Sequence, residues 1–388
     1  MRVLQVYKAA IPHSMGGVER VIDSIAGGLV GAGHQAAVLA VGPRREVVTQ
    51  QPGYAVHTVV ADFERASCPV SRAALPLLRR LAADADIVHY HAPWPWADAM
   101  HLLGATFDRP TVVSYQSDVV RQRVLGAVYQ PLMHAFLRRA DRIIASSPDY
   151  VASSPVLARY REHTRVVPIG IAEGPPAETL AARAEAWRGR VGGPFFLFLG
   201  VLRYYKGLPW LLDALAGTGM RLVIAGDGPL RAELEAKARA LGVLPQVLFA
   251  GQVEDAEKWA LIDACRAVVL PSHLRSEAYG VALVEGAARG RPLVSCAMGT
   301  GTSFINRHGE TGLTVPPANA GALRQALQRL WDDDAEAVRM GAGARRRYLD
   351  GLRPEDMMRG LVEVYDEVLD TGAKPGTVLS GQSRRTLT

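Results

Sequence analysis

Short runs of β-branched and aromatic residues recur along the chain at helix-length intervals, at 3–7, 37–41, 87–90, 111–115, 142–145 and 165–168. Between them lie stretches whose apolar positions follow a helical period, most clearly 18–30, 73–83 and 128–139. The second half repeats the plan, with strand-like runs at 195–199, 221–225, 247–250, 267–270, 292–295 and 314–315. Strands alternating with helices predict a parallel sheet covered on both faces, and two such series predict an α/β protein of two doubly wound, Rossmann-like domains. Such sheets take ligands beyond the carboxyl ends of their strands, so the chemistry is to be sought just after each run.

A polar stretch with Pro175 and Pro176 separates the halves. The expected division is a first domain at 1–172, a linker with a short helix at 173–193 and a second domain at 194–353. An amphipathic helix at 354–370 (Met357, Met358, Leu361, Val364, Tyr365, Val368) is expected to pack back on the first domain. The remainder, 371–388, is rich in Gly, Ser, Thr and Arg without periodicity and reads as a disordered tail.

At 388 residues and 49% hydrophobic, the chain suits two cores better than one. Cys68, Cys265 and Cys296 have neither disulfide-framework nor zinc spacing, which fits a reducing compartment. The sequence runs straight into its first strand without a secretory signal, and no uninterrupted apolar run is long enough for a spanning helix. A cytoplasmic protein, peripheral at the inner membrane face, is the expectation. Residues 1–170 hold 18 Lys/Arg against 13 Asp/Glu, a +5 share of the net +6. That bias suits an anionic membrane surface or a lipid diphosphate, and equally an ordinary arginine-rich surface. Nucleic acid is disfavoured, since no basic run interleaves with aromatics.

Candidate chemistry follows the strands. After the first comes Ser14-Met-Gly16-Gly17-Val-Glu-Arg20, where adjacent glycines at a helix start would let backbone N–H groups approach a diphosphate; a simple turn is the bland account. It lacks GxGxxG and GxxxxGK[ST], which disfavours a nicotinamide site and an ordinary NTPase. His89 lies at the end of the strand at 87–90 and His91, Trp94 and Trp96 follow it, with the Pro/Trp loop offering an aromatic wall for a sugar face or a prenyl chain. Two histidines without a third ligand are more often hydrogen-bonded structural residues than a metal site. Gln116 and Asp118 follow the next strand, Asp118 as a sugar contact or a helix N-cap. In the second half, Arg203 and Lys206 are spaced to converge on one anion. Glu277 and Glu285 then bracket a loop-to-helix junction whose amides and carboxylates suit phosphate and paired hydroxyls.

Taken in order, GGVER, HYHAPWPWAD, SYQSD, VPIGI, GVLRYYKG, AGDGPL, EAYGVALVE and GTGTSFIN resemble glycosyltransferase family 4, the retaining transferases of GT-B architecture. Within it, the chain is similar to bacterial mannosyl- and rhamnosyltransferases of O-antigen and exopolysaccharide synthesis. The resemblance implies that Arg203 and Lys206 bind the donor diphosphate, Glu277 contacts sugar hydroxyls and Glu285 holds the ribose. Gly16 and Gly17 match the glycine loop facing the phosphates, and Gly280, Val281 and Ala282 match its second-domain counterpart. His91, Trp94, Gln116 and Asp118 fall on the substrate side. Two departures stand out: Val201 where many relatives carry arginine, and Gln116 where histidine is usual, which puts an imidazole role there in question.

The implied reaction is transfer of a hexose, mannose from GDP-mannose first among them, to a lipid-diphosphate-linked oligosaccharide, with no metal and no cofactor beyond the nucleotide sugar. The alternatives are a GDP-rhamnose or UDP-hexose donor, a sugar-nucleotide 2-epimerase of the same architecture, and a non-catalytic nucleotide-sugar-binding protein.

Overall fold

The structure, a computed structural model, describes residues 1–50, 53–65, 67–106, 108–118 and 123–372. The first lobe contains β1 (Arg2–Val6), β2 (Gln35–Val41), β3 (Glu46–Gln50), β4 (Tyr54–Val59), β5 (Phe63–Arg65), β6 (Cys68–Val70), β7 (Ile87–Ala92), β8 (Thr111–Tyr115), β9 (Arg142–Ala145) and β10 (Thr164–Val166). Eight of them form one sheet in the order β10-β9-β8-β7-β1-β2-β4-β3, and β5 and β6 form a separate hairpin. The sheet is parallel except at one edge, where β3 runs antiparallel to β4. β3 carries no apolar run that a sequence pattern would reveal: Glu46–Gln50 alternates in exposure and leaves Val47 facing water at 60%.

The second lobe holds β11 (Phe196–Leu199), β12 (Leu222–Ala225), β13 (Val247–Gly251), β14 (Ala267–Leu270), β15 (Leu293–Cys296) and β16 (Gly312–Val315), ordered β13-β12-β11-β14-β15-β16 and parallel throughout. β11 reads Phe-Leu-Phe-Leu and is buried along its whole length, as a central strand covered by helices on both faces must be.

The stretch 173–193, read as a linker with a short helix, holds the 15-residue helix Ala177–Val191. Leu180, Ala184 and Trp187 bury one face of it, and the Trp187 indole N–H donates to Glu257 at 2.7 Å, so the helix is a layer of the second lobe. The chain crosses between lobes twice at neighbouring places. Ile171 N–H donates to the Leu352 carbonyl at 3.1 Å, and Gly170 is pressed so closely on the Arg353 carbonyl that no side chain fits there.

The helix Pro354–Gly372 then lies on the first lobe against the helix Gly17–Gly31, where a Cβ on Gly28 would meet the Met358 sulfur at 2.7 Å. Glu367 ties it down by accepting from Arg142 at 2.6 Å and from Arg165 at 2.5 and 3.0 Å. It includes Thr371 and Gly372, two positions assigned from sequence to the tail; the rest of that expectation, 373–388, lies outside the described residues.

Candidate active site

The turn after β11 and the loop after β14 are built into one another. Gly207 adopts φ +73°, and a Cβ there would run into the Pro271 carbonyl, so only glycine lets the turn Tyr204–Lys206 press against the start of the acid loop. His273 N–H donates to the Tyr205 carbonyl at 3.0 Å and fastens the two segments together. As a result Lys206 Nζ donates to Glu277 Oε2 at 2.5 Å, and Ser272 Oγ donates to the same oxygen at 3.0 Å. Burial disfavours the Lys206 charge, but the Glu277 carboxylate and Tyr205 together outweigh it, and the ammonium lies above its usual range. Arg203 caps the same turn with its side chain exposed. The Ala225-Gly-Asp-Gly228 loop supports this turn from behind: Leu202 N–H donates to Asp227 at 2.9 Å, and Gly226 and Gly228 lie against the backbone of Gly200 and Leu202.

Gly280, at φ +94°, starts the helix Val281–Ala288. The first-turn amides of Val281 and Ala282 are donors that any helix start leaves without intrahelical partners. Gly286 draws this helix onto the sheet, since a Cβ there would sit 2.8 Å from a Val268 methyl and 3.0 Å from a Leu293 methyl. Its neighbour Glu285 is thereby held at 8% exposure, and Oε1 accepts from Lys258 Nζ at 2.8 Å. Lys258 lies on the helix Asp255–Ala264 and also pairs with Asp255 at 3.4 Å.

In the first lobe, Gly16 stands as N-cap of the helix Gly17–Gly31, with Glu19 folded back over it and accepting from Ser14 Oγ at 2.9 Å. A Cβ on Gly17 would meet nothing within 4 Å, which leaves the helix start open on that side. The carboxyl ends of the two sheets face each other across a cleft. Arg20 reaches Asp255 at 3.3 Å, and Arg275 reaches Asp118 at 3.1 Å. Glycine loop, basic turn and both acids therefore converge on one cleft between two Rossmann-like lobes.

Two family models match the halves of this arrangement, Glycosyltransferase Family 4 over residues 15–173 and Glycosyl transferases group 1 over residues 184–347. The D-rhamnosyltransferase WbpZ of Pseudomonas aeruginosa is 47% identical over 350 residues, covering 90% of this chain and 91% of that one. The chain belongs to glycosyltransferase family 4. The O-antigen chain mannosyltransferase C of Escherichia coli is 43% identical over 374 residues, 96% of this chain and 100% of that protein. Among solved structures, the sucrose-phosphate synthase of Thermosynechococcus elongatus superposes with a TM-score of 0.79 at 21% identity, covering 95% of this chain and 99% of that one. Anabaena HepE in complex with UDP does so at 0.75 and 18%, covering 95% and 100%. The fold of this family 4 glycosyltransferase is accordingly GT-B.

The first-lobe substrate candidates are disposed differently from their sequence reading. Trp94, expected in an aromatic wall, is fully buried in the first lobe's core with its indole N–H donating to the Pro69 carbonyl at 3.0 Å. His91 is 1% exposed and has both ring nitrogens engaged, Nε2 with Gln5 at 2.7 Å and Nδ1 with Gln116 at 3.2 Å. His89 bridges Tyr365 at 2.7 Å and Ser114 at 2.8 Å. Burial holds both imidazoles neutral, His89 down at about 3 and His91 well below its usual value. Gln116 is the half-buried end of this chain of polar groups, and Asp118 accepts from Arg275; the residues that would follow it in a helix N-cap, 119–122, lie outside the described residues.

Lys258, Asp255, Arg20, Ser272 and Arg275 escaped the sequence reading. Lys258 follows a strand in a helix opening with acids, so its position was the available signal; the other four became visible only as contacts. Among the described residues no three His, Cys, Asp or Glu side chains gather to hold a metal ion. A groove at the opposite, amino-terminal ends of β11, β14 and β15 is lined by Arg188, Arg266 and Arg291, which are committed to the carbonyls of Asp263, Leu330 and Trp331.

Proposed function

We propose that this glycosyltransferase moves a hexose, mannose from GDP-mannose first among the candidates, onto a lipid-linked oligosaccharide in O-antigen synthesis. The observation that carries the reading is the Lys206–Glu277 pair, set beside the exposed Arg203 and the helix start at Gly280. Two relatives support it, one named for D-rhamnosyl transfer and the other for mannosyl transfer to an O-antigen chain.

In this reading the donor diphosphate displaces Glu277 as the partner of Lys206. The released carboxylate takes sugar hydroxyls, and Glu285 takes those of the ribose. The acceptor hydroxyl oxygen bonds to the anomeric carbon on the face from which the phosphate oxygen leaves. Its proton passes to that departing oxygen, and configuration is retained. Arg203, Lys206 and the amides of Val281 and Ala282 offset the charge building on the diphosphate, so the reaction proceeds without a metal ion. Chelation with EDTA is expected to leave the rate unchanged.

The excess of Lys and Arg in residues 1–170 suits an anionic membrane that presents such an acceptor. No helix among the described residues is long and apolar enough to cross one. Co-sedimentation with anionic vesicles should weaken as salt rises.

The deciding experiment is protection against thermal unfolding by GDP, UDP, ADP and their sugar conjugates, because a ligand that binds only the folded state stabilises it. Selective stabilisation by GDP and GDP-mannose is expected. Preference for UDP compounds would overturn the donor, and no shift with any nucleotide would overturn the site.

A further inference from the structure

Two positions before Glu277, in the same loop, Arg275 reaches across the cleft into the first lobe. Its Nε and Nη2 donate to Asp118 Oδ2 at 3.2 and 3.1 Å, while Nη1 donates to Ser153 Oγ at 3.0 Å and to the Met298 carbonyl at 3.3 Å. The guanidinium sits 5.4 Å from the centre of the Tyr150 ring. Asp118 is equally engaged: Oδ1 accepts from Ser154 Oγ at 2.8 Å and from Tyr115 OH at 3.2 Å. Side-chain exposures of 28% and 12% set the pair apart from an ordinary surface contact. Delivering donors from Nε, Nη1 and Nη2 at fixed angles is something a lysine ammonium does not reproduce.

The loop is short and held on every side. His273 N–H is fixed to Tyr205, Glu277 N–H closes a turn on the Leu274 carbonyl at 3.0 Å, and the Glu277 carboxylate ends on Lys206 and Ser272. Among the described residues, the hydrogen bonds of 272–277 to the first lobe are those of Arg275, between anchors to the second lobe. Any change in the separation of the lobes pulls on Arg275, and through it on the turn that presents Glu277.

We propose that Arg275 is a positioning residue which, through Asp118, makes the placement of the Glu277 carboxylate depend on the approach of the two lobes. The donor-side acid reaches its working position only when the acceptor-side lobe is in place. The inference rests on the reading of Glu277 as a sugar contact, and its test separates the two.

The test is a double-mutant cycle of Arg275→Ala and Asp118→Asn, with Arg275→Lys as a variant that keeps charge and fold. Each protein is measured for GDP and UDP binding by calorimetry, for kcat and KM with the sugar nucleotide that wild type turns over, and for radius of gyration by small-angle scattering. Nucleotide affinity is expected to stay within about twofold of wild type, because Arg275 lies outside the proposed diphosphate seat. kcat is expected to fall about tenfold or more in every variant, with the double mutant no worse than the poorer single and the scattering radius larger. Full turnover in Arg275→Lys, additive losses in the cycle, or a loss confined to nucleotide affinity would overturn the proposal. Absence of nucleotide binding in wild type would instead strike the reading of the site.

Discussion

Lys206 Nζ lies 2.5 Å from Glu277 Oε2 although the two residues are 71 apart in sequence. The basic turn and the first acid are therefore one unit, joined by that contact. Both side chains are largely withdrawn from water, at 13% and 11% exposure, so removing either strands the other charge. Lys206→Ala and Glu277→Gln are each expected to lower kcat by roughly 10²–10³-fold, and the double variant by little more than the worse single. Steady-state transfer kinetics measure this; additive losses would mean that the two act separately.

Glu285 and Lys258 form the second such pair, at 2.8 Å. If Glu285 holds ribose hydroxyls, Lys258 fixes its orientation through that bond. Glu285→Ala is expected to weaken nucleotide binding about tenfold or more, and Lys258→Met by less. Calorimetric titration with GDP and UDP decides this, and equal affinities for wild type and Glu285→Ala would remove the acid from the nucleotide seat.

Gly207 is required by two independent facts, a φ of +73° and contact with the Pro271 carbonyl. Gly207→Ala is expected to destabilise the second lobe by about 2 kcal/mol or more and to abolish nucleotide protection, because the turn and the acid loop can no longer touch. Thermal unfolding with and without GDP provides the readout.

Asp98, on the helix Pro95–Leu102, is 1% exposed and accepts from Tyr129 OH at 2.5 Å. Burial pushes its carboxyl up to about 7, against the opposing effect of the Tyr129 bond. A carboxyl raised in the folded state contributes stability that is fully present below its unfolded value near 4 and is lost as pH rises through about 7. Asp98→Asn keeps an acceptor for Tyr129 without the charge. It is expected to raise the Tm by roughly 2–4 °C at pH 8 and to change little at pH 4. A Tm difference independent of pH would show that Asp98 does not titrate in this range.

The alternation of apolar runs and amphipathic stretches already contained two doubly wound lobes, because a strand buried on both faces is apolar along its length whatever surrounds it. β11, with its Phe-Leu-Phe-Leu, is legible in isolation; β3 is not, since its one-sided edge pattern acquires meaning only beside β4. Lys206, Glu277 and Glu285 could be singled out because charged residues stand out just after buried strands and at glycine turns.

The fate of Trp94, His91 and Asp118 was not legible. An indole or an imidazole reads the same in a chain whether it faces a cleft or a core, and the difference lies in which distant groups meet it: Pro69 for Trp94, Gln5 and Gln116 for His91, Arg275 for Asp118. The sequence by itself determined the lobes, the strand ends and the residue types placed there, all consequences of local periodicity and backbone freedom. Only the tertiary structure decided which carboxylate meets which cation across the cleft, because side-chain partnership depends on distances set by the packing of the whole chain.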